Sequence, residues 1–169
     1  MKPLHFLVFT LLFLTGSVCS GQDATSEVEK GFRLSQQGKY ELAVEHFDAA
    51  ISMNPELLDA YLKRAFALSA MKNYEGAVAD YSKIIDLNPN LVLAYLSRGS
   101  AYNKLEQYDA AIQDFEKVLS LEPNNSEAYN NRGWAKKGLG NHDGACKDWK
   151  RSKRLGNEEA KIILKNNQC

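Results

Sequence analysis

The residues able to do acid–base, nucleophilic or metal chemistry are few in this chain and poorly placed for it. The histidines are His5, His46 and His142, and no two stand at a metal-ligand spacing. No Cys-x-x-Cys, His-Glu-x-x-His or Gly-x-Ser-x-Gly occurs, and the glycines never gather into a phosphate-cradling loop. The carboxylates are scattered at ordinary frequency, as a solvated surface would have them. No catalytic residue, metal site or cofactor is expected, and the chain reads as non-enzymatic. One charged pattern does have order. Arg64, Arg98 and Arg132 recur every 34 residues, and so do Asp80, Asp114 and Asp148. One period earlier stand Lys30 and His46, so where one member is lost both are. The planar guanidinium fork can bond a carboxylate through two parallel hydrogen bonds, so three Arg–Asp pairs tying neighbouring helices are expected. An arginine ladder for a ligand is the functional alternative.

The elements that position these residues are bounded by size and composition. A chain of 169 residues has room for one domain, and 44% hydrophobic residues exclude wholesale disorder and a polytopic membrane protein. Lys plus Arg total 21 and Asp plus Glu total 21, which demotes a general nucleic-acid binder. That zero hides an asymmetry. Residues 22–125 hold 10 basic and 16 acidic side chains, whereas residues 126–169 hold 10 basic and 5 acidic. Head-to-tail association of opposite ends follows as a testable option.

Residues 1–21 have the layout of a secretory signal peptide. Lys2 precedes an apolar run from Leu4 to Leu14, then a small-residue stretch from Thr15 to Gly21. The apolar run is about eleven residues, short of the roughly twenty needed to span a bilayer. Cleavage is expected after Ser20 or Gly21. Cys19 opens a second route, an acylated lipoprotein cysteine, although Gly16 and Val18 do not favour it. The expected location is outside the cytoplasm, periplasmic or secreted, with a leader and repeat style that points to bacteria. Membrane association is expected only if Cys19 is lipidated or the leader stays uncleaved.

The remainder is an internal repeat. Gly31, Ala65, Gly99 and Gly133 form one column at a spacing of 34. Further columns are Ala43, Ala77, Ala111 and Ala145, then Phe47, Tyr81, Phe115 and Trp149, then Tyr40, Tyr74, Tyr108 and His142. Tyr61, Tyr95 and Tyr129 make another, with Glu27 as its exception. Asn54-Pro55, Asn88-Pro89 and Glu122-Pro123 close successive copies. In the third copy the spacing predicts one helix over Val92 to Leu105 and a second over Asp109 to Leu121. Glu106-Gln107-Tyr108 is the turn between them. Small columns fit where two helices cross closely.

These residues resemble the tetratricopeptide repeat family. The resemblance implies an all-α fold, a right-handed α-solenoid of helix-turn-helix repeats with a C-terminal capping helix. The repeats are expected over residues 22–57, 58–91, 92–125 and 126–159, with a degenerate last copy ending in Gly156-Asn157. The cap is expected over 158–169, with Ile162, Ile163 and Leu164 available to cover the last core. Cys146 stands in the column of Val44, Val78 and Ile112, so it reads either as a small core residue or as a disulfide partner. If the cap folds back with its turn near Asn157, Cys146 and Cys169 lie side by side.

In this family the first helix of each repeat lines a concave face, which implies a peptide-binding groove formed by Phe32, Leu62, Phe66, Leu96, Asn103, Asn130 and Trp134. Val28 and Leu62 could instead pack between helices. Some members grip a chaperone's C-terminal carboxylate with Lys, Asn and Arg side chains. At the matching positions stand Val28, Phe32, Lys63, Leu93 and Ser97, so that clamp is absent. The expected function is a protein-interaction module or scaffold with a protein or peptide partner, and no nucleic acid. The alternative is a structural or weakly self-associating solenoid of the cell envelope. A third option is an anionic surface met by Lys147, Lys150, Arg151, Lys153 and Arg154.

Overall fold

A computed structural model describes residues 16–167 and 169, with side chains placed from Asp23 onward. Residues 1–15 of the expected leader, and the side chain of Cys19, lie outside the described residues; the backbone from Gly16 already belongs to the first helix. The described residues form nine helices and no strand. They are α1 (Gly16–Gln36), α2 (Tyr40–Met53), α3 (Leu58–Ala70), α4 (Tyr74–Leu87), α5 (Val92–Lys104), α6 (Tyr108–Leu121), α7 (Ser126–Gly138), α8 (His142–Arg154) and α9 (Glu158–Asn166). Each helix packs on the next, and α1 also meets α3 as α5 meets α7. The result is an all-α solenoid of helix pairs with α9 laid over its end.

The repeat columns make the core. Ala43, Ala77, Ala111 and Ala145 are fully buried, and Phe47, Phe115 and Trp149 are almost fully so. The rings need the small column opposite them. A Cβ on Gly31 would come within 2.6 Å of Phe47 Cε1, and one on Gly99 within 2.8 Å of Phe115 Cε1. The aromatic ring fills the space that a side chain on the facing helix would otherwise take.

Boundaries have local causes. Asn73, Asn125, Asn141 and Asn157 each cap a helix by accepting a backbone N–H three residues on. Tyr61 and Tyr95 donate their hydroxyls to the carbonyls of Pro55 and Pro89 at 3.2 Å, fastening the turn between repeats. The turn inside each pair contains one residue in the left-handed region: Gly38, Lys72, Glu106 and Gly140, with φ of 73°, 62°, 59° and 77°. Two expectations are corrected. Tyr108 is the first residue of α6 rather than part of the turn, because the left-handed Glu106 completes the reversal one residue earlier. Ile162 is 62% exposed, whereas Ile163 and Leu164 do face the last core. A nine-residue helix can present only one stripe to α8.

Candidate functional site

The first helices of the pairs, α1, α3, α5 and α7, carry the side chains of the expected groove. Phe66 is 60% exposed and meets the Tyr40 ring edge-on at 6.5 Å. Phe32 is exposed, with the Lys63 ammonium 4.7 Å from its ring centre. Trp134 is 38% exposed and stands edge-on to the buried Trp149. Leu62 is half-buried against the second core, and Val28 is buried in the first.

Leu96 and Asn130 are the most buried of the expected set, yet each lines a hollow beside α5. Leu96 joins the core with Phe115 and Val118 and shows only an edge. Asn130 is partly engaged by structure: its side-chain amide donates to Glu159 at 3.0 Å, and its backbone carbonyl accepts the Trp149 indole N–H at 3.1 Å. It ties α7 to α8 and α9. Asn103 is half-buried, and its amide donates to the Asn131 carbonyl at 2.9 Å.

Two adjoining hollows lie along α5. The first, about 290 Å³, is mainly apolar, with Tyr74, Tyr81, Leu93 and Leu96 in its wall. Burial pushes the Tyr81 hydroxyl above its ordinary pKa, so it stays a neutral donor. The second, about 560 Å³, is polar and aromatic, lined by Asn103, Tyr108, Asn131, Trp134 and Glu159 among others. Ser100 and Lys104 line both, which makes the two one channel. The Oδ1 atoms of Asn103 and Asn130 are buried without a hydrogen-bond partner.

Tyr108, Asn131 and Glu159 were not among the expected site residues. Tyr108 had a signal, since it belongs to the column of Tyr40 and Tyr74; its ring occupies the space where Gly138 would carry a Cβ. Asn131 stands one period after Ser97. Glu159 had no signal, because it sits at the junction of the last repeat and the cap, in α9, with no matching glutamate one period earlier.

The charged columns lie away from this channel. Arg98 donates through Nε and Nη2 to Asp114 at 2.9 and 2.7 Å, and through Nη1 to Ser82 at 3.0 Å. Arg132 holds Asp148 at 2.8 Å through both nitrogens, with Glu116 at 3.8 Å behind it. Arg64 holds Asp80 at 2.9 and 2.6 Å and also bonds Asp48. Each arginine therefore joins three helices: its own, the second helix of its repeat, and the second helix of the preceding one. The hydrogen bonds to the carboxylates raise all three guanidinium pKa values further.

In the first pair, Glu27 from the tyrosine column bonds both Lys30 and His46 at 2.6 Å. These bonds, that to Lys30 first, hold its carboxyl below the ordinary value of 4.5. At the other end a disulfide joins Cys146 and Cys169, with Cα atoms 5.5 Å apart. Among the described residues no cluster of three or more His, Cys, Asp or Glu is placed to hold a metal, and no helix is long and apolar enough to cross a membrane.

Comparisons with known proteins agree with this geometry. Models of the tetratricopeptide repeat match residues 34–97, 92–125 and 115–147. Among solved structures, the fold is similar to MamA 41-end from Desulfovibrio magneticus RS-1, at 22% identity and a TM-score of 0.76 over 81% of this chain and 77% of that one. A crystal structure of MamA matches at 24% identity and a TM-score of 0.75, over 82% of this chain and 81% of its own. The first TPR of Spaghetti (RPAP3), solved bound to the HSP90 peptide SRMEEVD, is 32% identical with a TM-score of 0.66; the match covers 71% of this chain and 95% of that one. No curated protein matches at a significant level. Three repeat models in succession, and a relative that shares a third of its residues over nearly its whole length, carry one conclusion: the chain belongs to the tetratricopeptide repeat family.

Proposed function

We propose that the protein is an exported, non-enzymatic binding module that holds an extended segment of a partner protein in its concave channel. The observation that carries this is the channel's composition. An apolar hollow runs into a polar, aromatic one through shared Ser100 and Lys104, as an extended peptide with alternating demands would need. Trp134 in the wall of the second hollow, and exposed Phe66 on α3 outside both hollows, supply the anchors, since aromatics dominate binding energy when they become desolvated. A peptide donor reaching Asn103 Oδ1 would relieve a buried unpaired acceptor, worth about 1–3 kcal/mol.

Spaghetti's domain, solved with an acidic peptide, supports a peptide as the ligand class. Its peptide type does not transfer, because the positions that would need a cation hold Val28, Leu93 and Ser97, and Lys63, which stands where Asn is needed, is engaged by Asp59 and the Phe32 ring. Export is supported by the Cys146–Cys169 disulfide, a bond that persists in oxidising compartments.

The test is capture of the partner segment by the mature protein and by its Phe66→Ala/Trp134→Ala variant. A tenfold or greater loss of affinity, about 1.4 kcal/mol or more, with an unchanged helical spectrum is expected. Undiminished capture would remove the channel from the function.

A further inference from the structure

The second concave surface lies at the far end, between α8 and α9, with a volume of about 710 Å³. Lys147, Lys150, Lys153 and Arg154 line one wall, and Lys161 and Lys165 the other. All six are exposed. Lys161 has a distant partner in Glu158 at 3.8 Å; among the described residues the other five make no ion pair. Leu164 and Cys169, the latter bonded to Cys146, complete the lining. Arg151 is not part of the surface, because it turns away to bond Asn124 at 2.8 Å.

The repeat itself shows that this charge is not a by-product of the fold. One period earlier, Lys147 is preceded by Glu45, Ala79 and Gln113, and Lys150 by Asp48, Ser82 and Glu116. Lys153 follows Ile51, Ile85 and Leu119, and Arg154 follows Ser52, Asp86 and Ser120. The second helix of the last repeat, α8, thus departs from its own pattern at four positions, each time towards positive charge. The Asp48, Ser82 and Glu116 position normally meets the next repeat's arginine, but Asn166 stands where that arginine would be. A terminal helix needs a polar outer face for solubility. That need explains polarity and leaves the uniform sign unexplained.

We propose that the α8–α9 cleft is a second docking site, separate from the concave channel, for an extended acidic segment of a partner protein. Cations on two facing walls suit a narrow chain lying between them; a flat bilayer would touch only the ridges. The lining has no aromatic ring on which a base could stack, which disfavours single-stranded nucleic acid. Leu164 and the disulfide leave an apolar strip for occasional aliphatic side chains of the same segment.

The test measures fluorescence anisotropy on the purified, oxidised protein with a labelled peptide of repeating Glu-Glu-Leu units. Saturable binding that weakens as salt rises is expected. Affinity should fall about tenfold or more in Lys150→Glu/Lys161→Glu/Lys165→Glu, and by a smaller factor in the neutral variant Lys150→Gln/Lys165→Gln. Phe66→Ala/Trp134→Ala should leave it unchanged, which separates this site from the channel. Three results would overturn the proposal: equal binding by the charge-reversed variant, loss of binding in the Phe66/Trp134 variant, or tighter binding of phosphatidylglycerol vesicles or a single-stranded oligonucleotide than of the peptide.

Discussion

Arg98 shows what one side chain does here. It is mostly buried, holds the nearly inaccessible Asp114 with two hydrogen bonds, and reaches Ser82 on the preceding repeat with a third. Removing it leaves a buried carboxylate without its counter-charge. Arg98→Ala is expected to cost about 3–5 kcal/mol in urea unfolding, and Arg98→Lys most of that, since an ammonium cannot reproduce the fork. A parent-like midpoint for Arg98→Ala would contradict the staple. Glu27 carries a pH dependence of defined sign. Its carboxyl is held below 4.5, so its contribution is complete above that pH and is lost as pH falls through the lower folded value. Glu27→Gln should lower stability at neutral pH, read as a lower melting temperature, by no more than about 1 kcal/mol, because its partners Lys30 and His46 face solvent. The gap from the parent should close in melts taken progressively below pH 4.5.

The helix pairs depend on what happens at their ends. Lys72 and Glu106 adopt left-handed backbone at turns where Gly38 and Gly140 serve the equivalent places. An L side chain there costs about 1–2 kcal/mol, and glycine returns part of the gain through its freer unfolded chain. Lys72→Gly and Glu106→Gly should each stabilise by about 0.5 kcal/mol, read as a higher urea midpoint; lower midpoints would show that these side chains earn their strain. The cap has a different anchor. Only Ala160 and Ile163 of α9 are fully packed, so the disulfide supplies much of what holds it. Cys146→Ser/Cys169→Ser should lose about 3 kcal/mol for a loop of this length. Amide exchange should then quicken in α9 first; protection unchanged there would assign the bond no such role.

Across the molecule, charge is graded: the body is acidic and the last pair with its cap is basic. The gradient suggests end-to-end stacking, yet the terminal surface lacks the parts that join neighbouring repeats inside the chain. Lys150 stands where a carboxylate or hydroxyl accepts the next arginine, and Lys153 where an aliphatic side chain packs. The protein is therefore expected to sediment as a monomer at low and high salt. Salt-sensitive, concentration-dependent growth would instead favour a self-assembling envelope solenoid. Monomeric behaviour leaves both concave surfaces free, the channel along α5 and the cleft beside α9.

The sequence by itself determined the helix pairs, because a period of 34 repeats every packing contact and so repeats its residue types. The small column under each ring, the paired Arg and Asp columns, and the closing prolines are all legible for that reason. Tertiary structure decided which side chains the channel displays. Leu96, Asn130 and Trp134 all line the channel, but Leu96 offers only an edge of the core, Asn130 offers its Oδ1 while its amide holds Glu159, and Trp134 stays 38% exposed. Spacing along one helix cannot reveal this, since burial depends on what the neighbouring helix brings. The basic cleft has the same origin: its walls come from two helices of which one lies outside the repeat, and only the turn at Gly156 and Asn157 sets them face to face.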